Sequence, residues 1–549
     1  MTSLTARLQA LEPTIVDICK ISGIAGASVG VVSHGEVVYK AGFGFSDVAA
    51  GVVPDEHTIY TLGSLTKGLV SAMMGILVQD KKLSWDTRLR DILPDFSRDE
   101  KDPLVNVTIT DLLSHRSGLA AHDSLWFLSD NRIVMKRSDA VPMINYLPTV
   151  HPLLRGYCYN NFGYEIAGQV IEKLSGQSLD EFFRERIAKP LALTRTYFGT
   201  RAGETHEAKA YMTLKDGSPV KIGLPFANKD SLMAAAGGAR ASVSDLLALY
   251  AAYMEAGNHE LEFDTVKIAD NNPFKQIGKV WEPAINFPFR VLREYSYSLG
   301  WCRTQLPGPL ALANSETDRS QLPIVGKGTP SRLAIYHEGA ISGSVTFAAL
   351  FPETNSSVVV LSNSTPLNYD GPRFIAELLI ETLIGGTDAN IQSILQRSRN
   401  SAEEMKGFVD GLQKELTSTR TVHESVRQLE EYTGRFYNAV DTFFFEIRSD
   451  GGGLKMRFYG VEEEEFALYP YQEDSFTWLP AHDELASRGR YYDYPKEYYI
   501  IKFGTDEGKP TEITTLTWQF DSAVEAPEKL RKKDGSAVRK VEGQTPVGS

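Results

Sequence analysis

The sequence is poor in cysteine and has no excess of basic residues, and both shortages exclude classes of protein. Only Cys19, Cys158 and Cys302 occur in 549 residues. Neither a disulfide framework nor a CxxC metal site is therefore available, and a reducing, cytoplasmic location is expected. With 57 basic and 70 acidic residues the net charge is -13, which repels phosphate backbones and anionic membranes. Nucleic acid and membrane are not expected partners.

Long apolar runs are also missing. The most apolar helical run, residues 69–78, is too short to span a bilayer and is followed at once by four polar residues. Residues 1–20 predict an amphipathic helix and lack the apolar core and cleavage site of a secretory signal. An apolar fraction of 42% and a charged fraction of 23% are typical of globular chains, and the length predicts more than one domain.

The pattern along the chain predicts a mixed α/β (α+β) protein. Residues 25–45 predict a β-hairpin closed by Ser33, His34 and Gly35, residues 64–300 are mostly helical, and three consecutive strands and a helix follow between 332 and 386. These residues, 1–386, form the predicted first domain. A linker helix over 387–425, a small β-barrel or sandwich over 426–525 and a charged flexible tail over 526–549 complete the predicted organisation.

The segment from Gly63 to Lys67 carries the first chemical signal. Ser64 and Lys67 are three residues apart at the start of an apolar helix, so their side chains lie on nearly the same face and can meet. A lysine buried there has a lowered pKa and can accept the serine proton. Chance also produces such pairs: Ser218 and Lys221 have the same spacing, but in a turn-rich context that favours a loop.

A second signal, residues 159–164, precedes a predicted helix that begins at residue 165. The phenol of Tyr159 can relay a proton between a serine and a leaving group, and the amide of Asn161 can orient a substrate carbonyl and a lysine. Both functions require this loop to lie beside Ser64. Taken alone, a Tyr-x-Asn sequence is more often a helix N-cap with packing aromatics.

A third signal is His337-Glu338-Gly339 at the end of a predicted strand. Gly339 lets the backbone approach a ligand closely, and the amide of Ala340 can join that of Ser64 in an oxyanion hole. The alternative for His337 is a surface histidine with no catalytic task. No HExxH motif or Cys/His cluster is present, so neither a metal nor a cofactor is expected.

These three elements, in this order, resemble the serine β-lactamase and penicillin-binding-protein family, especially its class C, DD-peptidase, D-aminopeptidase and esterase branches. Further family landmarks are TITDLLSHRSGL at 108–119, KPLALTRTYF at 189–198, AAAGGARASVSDL at 234–246 and YSLGW at 297–301. The resemblance covers roughly residues 5 to 385. It implies a β-lactamase/transpeptidase-like domain whose antiparallel sheet comes from both ends of this region, with a helical subdomain between them.

The resemblance also implies roles for the residues. Ser64 forms an acyl-enzyme, Lys67 and Tyr159 act as general base and acid, and Asn161 binds substrate together with His337, Gly339 and Ala340. The sequence departs from many β-lactamases at Glu338, where those enzymes carry a hydroxyl used for carboxylate-bearing substrates. A second departure is Asn160, where serine is common. The C-terminal strands resemble a lipocalin-like barrel, whose aromatic residues are expected to form its core.

Three functions follow from this resemblance. The first is a serine hydrolase that cleaves an ester or amide bond of a small molecule or short peptide. The second is an acyltransferase or cyclising thioesterase-like enzyme of the same fold. The third is a catalytically silent, penicillin-receptor-like binding or scaffold protein. The expected partner is the acyl substrate, and self-association into a homo-oligomer is compatible with the sequence.

Overall fold

The structure is a computed structural model that describes residues 3–201, 203–226, 231–261, 268–289, 292–311, 321–421, 427–506 and 511–533. In the order of the chain, its elements up to residue 418 are α1 (Leu4–Gln9), α2 (Glu12–Ser22), β1 (Gly26–Ser33), β2 (Glu36–Gly44), β3 (Ile59–Thr61), α3 (Thr66–Gln79), α4 (Leu89–Ile92), α5 (Ile109–Leu113), α6 (Ala140–Tyr146), α7 (Asn161–Ser175), α8 (Leu179–Phe183), β4 (Tyr197–Phe198), β5 (Ala210–Thr213), β6 (Pro219–Ile222), α9 (Ala234–Gly237), β7 (Ala239–Ser242), α10 (Val243–Leu261), α11 (Ile277–Trp281), β8 (Ile285–Asn286), β9 (Tyr295–Tyr297), β10 (Cys302–Leu306), β11 (Arg332–Ile341), β12 (Ser344–Phe351), β13 (Ser356–Ser362), β14 (Ser364–Thr365), α12 (Gly371–Ile384), α13 (Asp388–Lys406) and α14 (Phe408–Ser418).

An eight-stranded antiparallel sheet organises this part of the chain. Its strand order is β2-β1-β13-β12-β11-β10-β9-β8, so β1 lies between its hairpin partner β2 and a strand from the far end of the region, with Val29 opposite Val360. The predicted hairpin and the three predicted consecutive strands are confirmed. The sheet is therefore built from both ends of the region, with most of the helices inserted between them, as expected.

Apolar residues cover both faces of the sheet. One face packs on α1, α2, α12 and α13 and includes Tyr336 and Phe347. The other packs on α3, α10 and the helices of the insertion and includes Ile335 and Ala348. Because successive side chains of a strand point to opposite faces, β11 contributes to both cores. The sheet is thus sandwiched between two helical layers.

Two helical predictions differ from the structure in detail. The predicted N-terminal helix is split into α1 and α2, with Pro13 in the first turn of the second helix, a position that tolerates the missing N–H. The predicted linker helix is also two helices, which meet at Gly407. Ile394 and Leu395 of α13 pack into the core beside α2 and α12, so this helix is part of the first folding unit. Residues 422–425 of the predicted linker lie outside the described residues.

The C-terminal strands form a closed antiparallel barrel. Its elements are β15 (Gly434–Tyr437), β16 (Phe444–Ser449), β17 (Leu454–Phe458), β18 (Glu465–Gln472), β19 (Ser475–Thr477), α15 (His482–Ser487), β20 (Ile500–Gly504), β21 (Thr515–Trp518) and β22 (Glu528–Lys533). The barrel interior is aromatic, as expected: Phe443, Phe445, Trp478 and Trp518 are all buried, and edge-to-face contacts join Phe445 and Trp518. This barrel fits a lipocalin-like domain.

The closing strand β22 corrects the prediction of a flexible tail from residue 526. Arg435 of β15 pairs with Lys533, and Trp518 of β21 pairs with Glu528, so residues 528–533 complete the barrel. Leu530 alone of these six residues is buried. The strand is held mainly by backbone hydrogen bonds, which are invisible in a hydrophobic pattern. Residues 534–549 lie outside the described residues.

No helix in the described ranges combines the length and the hydropathy that crossing a bilayer requires.

Candidate active site

Ser64 lies in a single 3-10 turn, Gly63–Leu65, that leads directly into α3. Its side chain is partly exposed, whereas the residues around it are buried. Gly63 has φ +55, and a Cβ atom there would lie 2.7 Å from the amide nitrogen of Ala340. A Cβ at Gly339 would lie 2.0 Å from the Leu62 carbonyl. Both glycines are therefore required for the end of β11 to pack against the turn that carries Ser64.

Lys67 is fully buried on the first turn of α3. Its Nζ donates to Ser64 Oγ at 3.0 Å, to Asn161 Oδ1 at 2.7 Å and to the Ala236 carbonyl at 2.9 Å. Burial lowers the pKa of this amine to about 7, and the nearby Asp123 carboxylate opposes part of that shift. At neutral pH, Lys67 can thus exchange a proton with Ser64.

Tyr159 approaches Ser64 from the loop before α7. Its hydroxyl donates to Ser64 Oγ at 2.7 Å. Burial raises the pKa of this phenol well above its usual value, although the hydrogen bond to Ser64 acts in the opposite direction, so the phenol keeps its proton. The loop is fixed by Asn160, whose side chain caps α7 by accepting from the Gly163 amide at 2.7 Å and donates to the Ala120 carbonyl at 2.6 Å.

Asn161 is the first residue of α7 and joins Lys67 to a residue that the sequence analysis did not identify. While its Oδ1 accepts from Lys67, its Nδ2 donates to Asp123 Oδ2 at 2.9 Å. Asp123 also accepts from Trp126 Nε1 at 2.9 Å. Burial raises the pKa of Asp123 to about 6, and the hydrogen bonds from Asn161 and Trp126 oppose that shift. Asp123 belongs to no short motif, and only the fold brings it beside Asn161.

The predicted residues of β11 occupy different environments. His337 is fully buried, and one ring nitrogen lies 3.0 Å from the Tyr297 hydroxyl. Burial lowers its pKa to about 3, with a further contribution from Lys67, so the ring is neutral. The contact of His337 with substrate stays a prediction. Gly339 touches the serine turn, and Ala340 is exposed.

Glu338 points to the opposite side of the sheet from His337. Its carboxylate pairs at 3.3 Å with the buried guanidinium of Arg373 on α12. Arg373 also pairs with Asp370 at 2.7 Å and with Glu377 at 2.8 Å. The residue that replaces the family hydroxyl is thus one of three carboxylates around a single cation.

An aromatic wall lies behind the site and was not predicted from the sequence, although its members His115 and Tyr297 fall within two of the family landmarks. The ring of His115, within 108–119, lies 4.2 Å from that of Tyr159 and 4.9 Å from that of Tyr297, within 297–301. Burial lowers the pKa of His115 well below its usual value, with Lys67 adding to the shift. Its Nδ1 accepts from the Asn160 amide at 3.1 Å. These neutral rings exclude water from the back of the site.

The second serine and lysine at the same spacing do not form a site. Ser218 lies in the turn between β5 and β6 and donates to Asp216 at 2.6 Å, and Lys221 is an exposed residue of β6. The helical context of Ser64 and Lys67 is therefore what lets their side chains meet. Within the described ranges, no group of three or more His, Cys, Asp or Glu residues is arranged to hold a metal ion.

The geometry provides the parts needed for acyl transfer. The amine of Lys67, whose pKa is about 7, and the protonated phenol of Tyr159 both contact the partly exposed hydroxyl oxygen of Ser64. Such an arrangement can remove the serine proton as the oxygen attacks a carbonyl and can supply a proton to the leaving group.

Comparisons with known proteins place the chain in a family. A curated relative, "Unguisins hydrolase ungD" of Aspergillus violaceofuscus, is 25% identical over 395 residues, which is 68% of this chain and 64% of the relative; the chain thus spans less than two thirds of that relative's length.

The octameric penicillin-binding protein homologue from Pyrococcus abyssi has the same fold, with a TM-score of 0.54, 21% identity and coverage of 95% of this chain and 99% of the homologue. A beta-lactamase/D-alanine carboxypeptidase from Pseudomonas syringae gives a TM-score of 0.52 and 16% identity, covering 70% of this chain and all of that one (100%). The Beta-lactamase family profile matches residues 11–380, and the chain belongs to the Beta-lactamase family.

Proposed function

We propose that this protein is a serine hydrolase that forms an acyl-enzyme on Ser64 and cleaves an ester or amide bond of a small molecule or short peptide. The observation that carries the proposal is the double hydrogen bond to Ser64 Oγ, from Lys67 at 3.0 Å and from Tyr159 at 2.7 Å. The hydrolase named for unguisins, a relative of this chain, supports the reaction class.

In the first half of the reaction, the neutral amine of Lys67 accepts the Ser64 proton while Oγ attacks the substrate carbonyl. The carbonyl oxygen becomes an oxyanion, which the amides of Ser64 and Ala340 stabilise. When the intermediate collapses, the bond to the leaving group breaks and Tyr159 gives that group its proton. The Lys67 ammonium then returns a proton to the Tyr159 phenolate, so the acyl-enzyme forms with both residues neutral.

In the second half, water attacks the ester on Ser64 and gives up its proton to the same pair. The serine regains a proton and the acid product leaves. The acyltransferase alternative uses the same acyl-enzyme with an alcohol or amine in place of water. Product masses from ester turnover with and without an added amine distinguish the two reactions.

The residue at position 338 supports a substrate class. Many β-lactamases carry there a hydroxyl used for carboxylate-bearing substrates, whereas this chain has Glu338, whose carboxylate is held by the buried Arg373, so position 338 has no hydroxyl to offer a substrate carboxylate. We accordingly propose esters or amides without a carboxylate next to the scissile bond. Turnover of p-nitrophenyl acetate but not of a carboxylate-bearing β-lactam is the expected result, and efficient β-lactam hydrolysis would contradict it.

The direct test of the hydrolase is p-nitrophenyl ester turnover by the wild type, Ser64→Ala and Ser218→Ala. The last variant is a matched control, because Ser218 has the same spacing to a lysine. We expect Ser64→Ala to lose at least about 10³-fold in kcat and Ser218→Ala to keep wild-type activity. A Ser64→Ala protein with full turnover would refute the proposal, whereas stable acylation of Ser64 without turnover would favour the silent receptor.

We also propose that the protein forms a homo-oligomer. The support is the octameric state named for the Pyrococcus abyssi homologue, whose fold covers 95% of this chain. Light scattering at several concentrations tests this proposal, and a constant monomer mass would contradict it.

A further inference from the structure

We propose that Asp123 is a positioning residue for Lys67 and that the C-terminal barrel holds the segment that carries Asp123, so that the barrel is part of the acylation machinery. The segment comprises residues 122–131. The inference rests on the proposed function of Ser64 and Lys67, and it concerns how their geometry is maintained.

The first step is the orientation of the Asn161 amide. A carboxylate only accepts hydrogen bonds and an ammonium only donates them. Asp123 Oδ2 therefore requires the Nδ2 end of Asn161 at 2.9 Å, which leaves Oδ1 for Lys67 at 2.7 Å. Without an acceptor at position 123, the Asn161 amide is free to rotate and present a donor to Lys67. Asp123 thus determines one of the three contacts of the Lys67 amine.

The backbone immediately before Asp123 has an unusual conformation. His122 precedes it with φ 47, in the left-handed region that a non-glycine residue adopts only when its surroundings enforce it. The His122 amide donates to Asp521 Oδ2 at 3.2 Å, and its ring contacts Phe520 at 4.8 Å. Both partners follow β21, the penultimate barrel strand. The barrel therefore supports the unusual conformation immediately before Asp123.

Residues of the barrel also contact the rest of the segment 122–131. The Tyr459 hydroxyl donates to the Leu125 carbonyl at 2.6 Å. Buried Glu464 accepts from both the amide and the hydroxyl of Ser129, at 2.8 and 3.0 Å. The Asp130 amide donates to the Arg488 carbonyl at 2.7 Å.

The contacts of Tyr459 with Leu125 and of Glu464 with Ser129 are buried and polar, so each restricts the position of the segment. A buried carboxylate such as Glu464 is stable only with its partners in place, and Arg490 supplies its counter-charge. The same arginine donates to the Ser129 hydroxyl at 2.9 Å. The segment is thus bound to the barrel on one side and to Asn161 on the other, and displacement of the barrel would displace Asp123.

The charge of Asp123 affects the pKa of Lys67, so the pH dependence of acylation is a second measurement that tests the proposal. The Asp123 carboxylate raises the pKa of Lys67 against the effect of burial. The other groups that face Lys67 are the rings of Tyr159 and Tyr164, at 4.8 and 5.2 Å, and the neutral rings of His115 and His337. Removal of the Asp123 charge therefore lowers the pKa of Lys67 and moves the acid limb of the acylation rate to lower pH. A purely structural residue would not move that limb.

The experiment measures the rate of Ser64 labelling by a fluorophosphonate in the full-length protein, together with kcat and KM for p-nitrophenyl acetate. We expect Asp123→Ala to acylate about 10–100-fold more slowly, with KM changed by less than about threefold. Asp123→Asn should also be slow, since its amide group faces a donor from either Asn161 or Trp126. Wild-type rates and an unshifted pH profile in both variants would overturn the role of Asp123.

The contribution of the barrel is tested at Asp521 and Tyr459. Asp521→Ala removes the acceptor of the His122 amide, whereas Asp521→Asn retains an acceptor and should restore the rate. Tyr459→Phe removes one hydroxyl and should slow acylation about 3–10-fold. The matched control is Asp506→Asn, a barrel carboxylate that pairs with Lys529 and Arg531 and should not change the rate. If Asp521→Ala and Tyr459→Phe both acylate at the wild-type rate, the barrel does not hold the site.

Failure of the inference is distinguishable from failure of the proposed function. An unlabelled wild-type protein would refute the function of Ser64, whereas a labelled wild type with equally labelled Asp123 variants would refute only the inference. A crystal structure of Asp123→Ala, which has no acceptor at position 123, adds a readout that does not depend on activity. It is expected to lack the hydrogen bond between Lys67 Nζ and Asn161 Oδ1, and an unchanged bond would contradict the proposed role.

Discussion

The hydroxyl of Tyr159 donates a 2.7 Å hydrogen bond to Ser64 Oγ, although the two residues are 95 positions apart in the chain. This bond joins the loop before α7 to the turn before α3, and thereby the helical insertion to the turn that packs on the sheet. The Lys67 amine reaches the same oxygen from within α3. The three groups meet because two helix N-termini converge beside the end of β11.

Tyr159→Phe keeps the packing of the ring and removes only the proton donor. If Tyr159 supplies the leaving-group proton, kcat for an amide or a poorly activated ester should fall about 10²–10⁴-fold. An ester with a good leaving group needs less proton transfer and should lose less. Steady-state kinetics on paired phenyl and p-nitrophenyl esters checks this, and equal losses on both would argue against the role of Tyr159 as the acid.

The pH dependence of kcat/KM follows from the pKa of Lys67. Burial lowers that pKa to about 7, and only the neutral amine accepts a proton. Activity should therefore rise with pH up to about 7 and stay high at mildly alkaline pH, because burial raises the pKa of Tyr159 well above its usual value and keeps the phenol protonated. Lys67→Arg, which stays charged, should be inactive at every pH. A profile that falls as pH rises from 6 to 8 would contradict this assignment.

Gly339→Ala tests the contact between β11 and the serine turn. The new Cβ would lie 2.0 Å from the Leu62 carbonyl, so the strand or the turn must shift. We expect a loss of about 1–3 kcal/mol in the free energy of unfolding and a large loss of activity. Gly453→Ala is the control, since a Cβ there meets no atom within 4 Å. Denaturant unfolding and ester kinetics on both variants provide the comparison.

Leu530→Ala tests the closure of the barrel by β22. Leu530 is fully buried, and its neighbour Lys529 is exposed. Truncation of Leu530 should cost about 2–5 kcal/mol of unfolding free energy, whereas Lys529→Ala removes only a surface ion pair and should cost less than about 1 kcal/mol. Equal stability of the two variants would show that residues 528–533 do not close the barrel.

The sequence predicted those parts of the site that depend on local spacing. Ser64 and Lys67 are one helical turn apart, and Asn160 and Asn161 lie at the start of a helix, so their local geometry follows from helix periodicity. The end of α12 was equally predictable, because Gly385 adopts the left-handed conformation of a C-cap. In each case the information lies within a few consecutive residues.

The features that the sequence did not reveal depend on long-range contacts. Asp123 acts on Asn161 across 38 positions, and nothing near Asp123 in the sequence marks it. The burial of His337 follows from packing by Tyr159 and Tyr297, which come from separate segments. Strand β22 has one buried residue among charged ones, so its pairing with β15 and β21 leaves no hydrophobic pattern.

The central claim is that Ser64 forms the acyl-enzyme with the help of Lys67 and Tyr159. Mass spectrometry of peptides from protein quenched during turnover of an aryl ester tests it most directly. The claim predicts an acyl group on the peptide that carries Ser64 in the wild type, none in Ser64→Ala, and slower formation in Tyr159→Phe. Acylation at another residue, or turnover by Ser64→Ala at the wild-type rate, would contradict it.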